Sequence, residues 1–226
     1  MSEQTFQGPR STADVLCYRF REQTLEVLLV QRKYDPFQHH WAIPGGFVEP
    51  DETIGEAAKR ELEEETGLSL EQLRQFQSYG GPDRDPRGPV LTVCYVGLLR
   101  PGHASAEAAS DAEDTKWHDA HDPPELAFDH ERILSDANQD LASRFSSAKD
   151  AFLLLPKPFT LDQLHRVYEE VLQSSLDRST LTKRFVDNEL IVPVSESDDL
   201  PVREARFELD HERFDHYRRT HMPFSF

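Results

Sequence analysis

The sequence predicts an α/β domain over residues 10–150 followed by a winged helix-turn-helix domain over residues 151–226. Three observations carry that prediction. Short apolar stretches with strand character recur up to residue 99, interrupted by one long helical pattern at 53–66. A proline-bearing stretch near residue 150 marks a shift in composition. Beyond it the order is helix, turn, helix, hairpin. The length of 226 residues suits one domain of about 150 residues with a smaller second one.

The elements follow in order. Residues 13–20 (ADVLCYRF) and 25–31 (LEVLLVQ) read as two strands around the polar turn Arg21 to Thr24. Trp41 to Val48 is a third segment broken by Pro44, Gly45 and Gly46. From Thr53 the apolar period becomes helical, and Gly67 stands where a helix would end. Leu73 to Tyr79 and Val90 to Leu99 read as strands around the Pro/Gly loop GGPDRDPRGP. Residues 101–115, rich in Ala, Ser and acids, read as a surface loop, and Trp117 begins a last strand. Asp129 to Phe145 forms a helix with Ile133, Leu134, Ala137 and Leu141 on one face. Ser146 to Pro158 reads as a linker.

In the second part, Thr160 and Gln163 form a capping-box pair ahead of a helix with Leu161, Leu164, Val167, Val171 and Leu172 at helical spacing. Ser174 and Ser175 break it. Asp177 caps a second short helix that turns Leu181 and Phe185 inward. Glu189 to Val194 and Val202 to Glu208 pair as a hairpin around SESDD, and Asp210 to Arg219 is a last helix.

Composition excludes several classes. Acids outnumber bases, 42 against 25, for a net charge of −17, so the surface as a whole does not attract polyanions. Two cysteines, Cys17 and Cys94, are too few for a disulfide framework or a Cys-rich zinc site. The polar start MSEQTFQGPRST lacks the apolar core of a signal peptide, and the apolar runs are too short to span a bilayer. A soluble cytoplasmic protein without membrane partners is expected.

The segment that carries chemistry is GFVEPDETIGEAAKRELEEETGL, Gly46 to Leu68. On a helix, Glu61 and Glu65 lie one turn apart and Glu64 is three residues from Glu61, so the three carboxylates share one face. They border the stripe of Ile54, Ala58 and Leu62, opposite Glu56, Lys59 and Glu63. Like charges this close repel by about 1 kcal/mol per pair even in water. A hard divalent cation with oxygen ligands, Mg²⁺ or Mn²⁺, compensates them. Gly45 and Gly46 permit a tight backbone approach, so that a glycine carbonyl can reach the same ion. Glu52 and Arg60 suit an ion pair that ties the loop to the helix and orients Glu61. The competing reading, a solvated acidic helix, leaves the flanking Gly and Arg in register unexplained.

This spacing resembles the Nudix box of nucleoside-diphosphate-linked pyrophosphohydrolases at every defined position. A chance match of seven fixed residues is roughly a one-in-ten-million event per site. The resemblance implies an α/β/α sandwich with a mixed sheet and a reaction in which water attacks phosphorus with metal assistance. It implies metal-binding roles for Glu61, Glu64, Glu65 and Gly46, and catalytic roles for Glu64, Arg60 and Glu61. Glu64 is a candidate base, with Asp111, Glu113 and Asp114 as alternatives. The loop GPDRDPRG, followed by a strand holding Tyr95, is similar to that of Nudix proteins acting on ADP-ribose. There Arg84 and Arg87 would meet phosphate oxygens; pairing with Asp83 and Asp85 is the alternative.

The part from Phe159 onward resembles the winged-helix domain fused to Nudix domains in transcriptional regulators of NAD metabolism. That implies a homodimer gripping an operator, with Ser179, Thr182 and Lys183 facing outward and Arg178 and Arg184 near phosphates. Against tight DNA binding, residues 151–226 hold 10 basic and 14 acidic side chains, and the wing tip carries Glu196, Asp198 and Asp199. A dimerisation module of the same fold is the alternative. The expected function is hydrolysis of a nucleoside-diphosphate-linked compound, ADP-ribose foremost, to AMP and ribose 5-phosphate. The second reading is an ADP-ribose-sensing regulator.

Overall fold

The computed structural model describes residues 8–102, 114–145, 149–194 and 205–220. They divide into two compact units, one drawn from Met1–Tyr18, Glu26–Gly97 and His103–Ala137, the other from Arg19–Leu25, Leu98–Gly102 and Asn138–Phe226.

The strands β1 (Arg10–Arg21), β2 (Thr24–Gln31), β3 (Trp41–Ala42), β5 (Arg74–Tyr79) and β6 (Val90–Leu99) run in the order β3-β2-β1-β6-β5. Two further strands join this sheet: β4 (Gly45–Phe47) pairs β1, and β7 (Thr115–Asp119) pairs β2. The expected class holds: a mixed sheet with helices, followed by a winged helix. The β1–β2 turn places Glu22 and Gln23 at φ 50° and 73°. Two consecutive left-handed residues suit the right-handed twist of a hairpin, although neither is the usual Asn or Gly.

Helix α1 (Ile54–Thr66) starts and stops where its chemistry dictates. The Thr53 side chain accepts from Glu56 N, the Glu56 carboxylate accepts from Thr53 N, and Gly67 closes the end at φ 69°. Ala57, Ala58, Leu62 and Thr66 are buried, leaving Lys59 and Glu63 in solvent. The antiparallel β1–β4 register sets Ala13 opposite Gly46 and Asp14 opposite Gly45. That pairing brings the glycine loop beneath α1. Helix α2 (His130–Phe145) buries the four residues expected, Ile133, Leu134, Ala137 and Leu141.

The second unit differs from expectation in one stretch. Residues 146–158 do not form a loose linker where they are described. Lys149–Leu153 is a 3₁₀ turn, and Ala151, Phe152, Leu154 and Leu155 are buried. Arg100 Nη1 donates to Phe152 O at 2.7 Å and fixes the turn. The local composition, with its two prolines, concealed an apolar run that needs a core. Helix α3 (Leu161–Leu172) is followed by α4 (Arg178–Thr182), which widens into a π-type turn over Lys183–Asp187. A three-stranded antiparallel sheet, β8 (Phe159–Thr160), β10 (Arg206–Leu209) and β9 (Ile191–Pro193), forms the wing, and α5 (His211–Thr220) follows. Strand β8 was not foreseen. The hairpin tip, with Glu196, Asp198 and Asp199, and most of the 101–115 loop lie outside the described residues.

The α3 capping box is formed as read: Gln163 N donates to Thr160 Oγ1 and Thr160 N to Gln163 Oε1. Thr160→Ala should lower unfolding stability by about 1 kcal/mol. A urea titration that superimposes on wild type would show the cap to be idle.

Candidate functional site

Arg60 is the hub of the site. Its Nε and Nη2 donate to both oxygens of Glu52, at 3.0 and 2.6 Å, and Nη2 also reaches Phe47 O at 3.1 Å. Its Nη1 donates to Glu61 at 2.8 Å and to Glu64 at 3.1 Å. The loop is thus tied to the helix by a bidentate pair, and Glu61 is oriented by the residue just before it in the chain. Arg60 also supplies part of the compensation that the sequence argument gave wholly to a metal ion.

Glu61 lies over Gly46. A Cβ added there would meet its carboxyl atoms at 2.3 to 2.5 Å. Glu65 Oε2 accepts from Gly45 N at 2.9 Å. Desolvation in the cleft, with repulsion from Glu61 and Asp14, raises the Glu65 pKa to about 7, against the Gly45 hydrogen bond and Arg32. Asp14 was missed by the sequence reading. It is buried at 6% exposure and accepts from Thr92 Oγ1 at 2.6 Å. A lone acid inside the apolar strand ADVLCYRF was the available signal.

These groups open into a cleft of about 620 Å³, lined also by Arg32, Phe47, Arg84, Arg87, Phe128 and His130. Arg84 is 8% exposed and paired bidentately with Asp129 at 2.8 and 3.2 Å. Arg87 pairs with Asp85, from 2.7 Å. So both predicted arginines line the cleft, each with a carboxylate already in its fork; of the alternative partners, Asp85 pairs with Arg87, and Arg84 takes Asp129 instead of a loop acid. His130 is fully enclosed, and its Nδ1 accepts from Ile43 N at 3.0 Å, which puts the proton on Nε2. Burial lowers its pKa and keeps the ring neutral. Of the alternative bases, Asp114 lines the cleft and pairs with Lys33; Asp111 and Glu113 lie outside the described residues.

The donor set suits a hard divalent cation in kind. It offers carboxylate oxygens of Glu61, Glu64 and Glu65 around a glycine cradle that a Cβ would fill, with Glu65 destabilised by its acidic neighbours. Among the described residues no three such groups converge as they stand. Glu61 and Glu64 are drawn onto Arg60.

On the winged helix, Asp177 caps α4 by accepting from Ser179 N at 3.2 Å, and the Ser179 hydroxyl donates to the same carboxylate. Arg178 Nη1 donates to Asp162 at 2.8 Å. Ser179 and Lys183 are exposed, whereas Thr182 and Arg184 are half-buried. Desolvation lowers the Arg184 pKa. Arg184 stands three residues from buried Leu181 and beside buried Phe185, which is why it borders the core.

The family model described as the NUDIX domain matches residues 8–137. The chain belongs to the Nudix family. A second model, the NrtR DNA-binding winged helix domain, matches residues 151–207. The chain is 31% identical over 196 residues to the ADPR responsive transcriptional repressor NtrR of Acinetobacter baylyi, covering 85% of this chain and 78% of that one. It is 42% identical over 115 residues to the ADP-ribose pyrophosphatase of Methanocaldococcus jannaschii, covering 51% and 67%. Its fold is similar to that of Shewanella oneidensis NrtR crystallised with a 27mer DNA, with TM-score 0.75, 28% identity and coverage of 90% and 95%. Among the described residues no helix is long and apolar enough to cross a membrane.

Proposed function

We propose that this Nudix chain is an ADP-ribose-responsive, dimeric DNA-binding regulator whose first domain also hydrolyses its ligand to AMP and ribose 5-phosphate. The observation that carries the reading is the likeness to a repressor over both domains, 85% of this chain. Sequence reasoning put hydrolysis first. The full-length likeness puts ligand-gated DNA binding first, and the formed box geometry around Arg60 supports retained turnover.

Glu61, Glu64, Glu65 and the Gly46 carbonyl are the groups that would hold Mg²⁺ or Mn²⁺. When bound, such an ion polarises the diphosphate and acidifies a water. The chain's own residues do the rest. Arg60 keeps Glu61 over Gly46, the Gly45 N–H orients Glu65, and the neutral His130 braces the Ile43 backbone beside Ala42 and Pro44. Glu64 and Asp114 are the described candidates for the base. In the second domain, Ser179, Thr182 and Lys183 are assigned to the DNA-facing side and Arg178 and Arg184 to phosphates.

A DNA fragment from the gene's own neighbourhood should be retarded by the protein and released by ADP-ribose. AMP should form from ADP-ribose only with added Mg²⁺ or Mn²⁺. Metal-dependent AMP release without any retarded fragment would reduce the protein to a hydrolase; failure to bind ADP-ribose at all sinks both halves.

A further inference from the structure

Three arginines line the cleft, and two are already spent on carboxylates: Arg84 on Asp129 and Arg87 on Asp85. Arg32 differs. It stands one residue past the end of β2, and among the described residues no carboxylate forms an ion pair with it. Its Nε donates to Pro36 O at 2.8 Å and Nη2 to Tyr34 O at 3.3 Å, while its guanidinium carbon lies 4.7 Å from the centre of the Phe128 ring. Neutral carbonyls and an aromatic face fix the orientation of the group without cancelling its charge.

The support for that orientation is unusual. Phe128 has φ 55° and Phe37 φ 63°, the left-handed region that bulky side chains avoid. Their rings pack at 4.8 Å between centroids. Each backbone is locked from outside: Ala127 N donates to Trp41 O at 2.8 Å, and His39 N to Arg32 O at 2.8 Å. Strain of this kind persists where the surroundings over-determine it, and it gathers at ligand clamps. Its product is a fixed guanidinium at the cleft wall. Arg87 approaches the same Phe128 ring to 5.4 Å. Desolvation, then the proximity of Arg87, weigh against the charge on Arg32, and Glu65 and Asp85 offset them only in part. Among the described residues no carboxylate occupies its fork directly, which leaves the guanidinium able to take an anion from the cleft.

We infer that Arg32, clamped by the Phe37–Phe128 pair, is the receptor for a phosphate group of the cleft's ligand, with Phe128 as its positioning residue. This rests on the diphosphate reading of the cleft. Arg32 joins Arg84 and Arg87, the two arginines that sequence reasoning nominated for phosphate oxygens. Its Nη1, which makes no hydrogen bond among the described residues, is the donor that faces the ligand.

The test is calorimetric titration of the full chain, without divalent metal, with ADP-ribose and with inorganic pyrophosphate. Arg32→Gln should weaken both roughly 10- to 100-fold and flatten the dependence of Kd on KCl. Arg32→Lys keeps the charge but loses the fork, and should fall between; it also serves if the Gln variant misfolds. Phe128→Leu should weaken both ligands by about tenfold and Phe128→Tyr should restore them, a rescue that lost packing alone does not predict. Unchanged affinity for both ligands in either Arg32 variant overturns the assignment. If wild type binds pyrophosphate through Arg32 but not ADP-ribose, the receptor stands and the ADP-ribose reading falls. If it binds neither, both fall.

Discussion

Replacing Gly46 with alanine should cut metal-dependent release of AMP from ADP-ribose by about 10²- to 10³-fold and leave the melting temperature nearly unchanged. The new methyl group would stand 2.3 to 2.5 Å from the carboxyl atoms of Glu61. Those atoms end a side chain that can swing aside, so the fold absorbs the change. The chemistry does not, because Glu61 loses its place beside Arg60 Nη1. Gly45→Ala makes the contrast. There the methyl meets Ala13 O at 2.3 Å and Asp14 Cα at 2.8 Å, backbone atoms that cannot retreat without disturbing the β1–β4 pairing. It should therefore lose stability as well as turnover. Steady-state assays in Mg²⁺, paired with thermal melts of both variants, decide the matter; wild-type turnover in Gly46→Ala would mean that Glu61 is not needed where it stands.

Phe185→Ala should destabilise the second unit by about 3 to 5 kcal/mol. Phe185 is fully buried, with its ring 5.7 Å from both Phe152 and Tyr168. Phe152 in turn meets Phe159 at 5.6 Å and Phe214 at 5.9 Å, and Tyr168 meets Phe145 at 5.2 Å. Removing the ring that joins these two arms leaves a cavity and forfeits two aromatic contacts worth about 0.5 to 1.5 kcal/mol each. By calorimetry the unfolding of this unit should fall by more than about 10 °C. Phe185→Leu should lose much less. A transition at the wild-type temperature in Phe185→Ala would show that this cluster is not what holds the unit together.

The features legible in the sequence are those encoded by neighbours. Thr53 with Glu56, Thr160 with Gln163, Gly67 and the Glu61/Glu64/Glu65 spacing all act within one or two helical turns, so a local pattern suffices to find them. Arg60 with Glu52 is eight residues apart and was still readable from a motif. The rest of the site joins distant segments. Asp14 meets Thr92 across 78 residues, Arg84 meets Asp129 across 45, and Ile43 meets His130 across 87. No periodicity reports such pairs; only the sheet order brings them together. The same holds for the 149–155 stretch, whose burial depends on partners such as Arg100 that lie far off in sequence. The left-handed Phe37 and Phe128 carry no signal at all, because their side chains argue against the backbone they adopt.

One guanidinium, that of Arg60, serves Glu52, Glu61 and Glu64 together. Truncating any one of those acids frees N–H groups that the other two can draw on, so single replacements among them should not add.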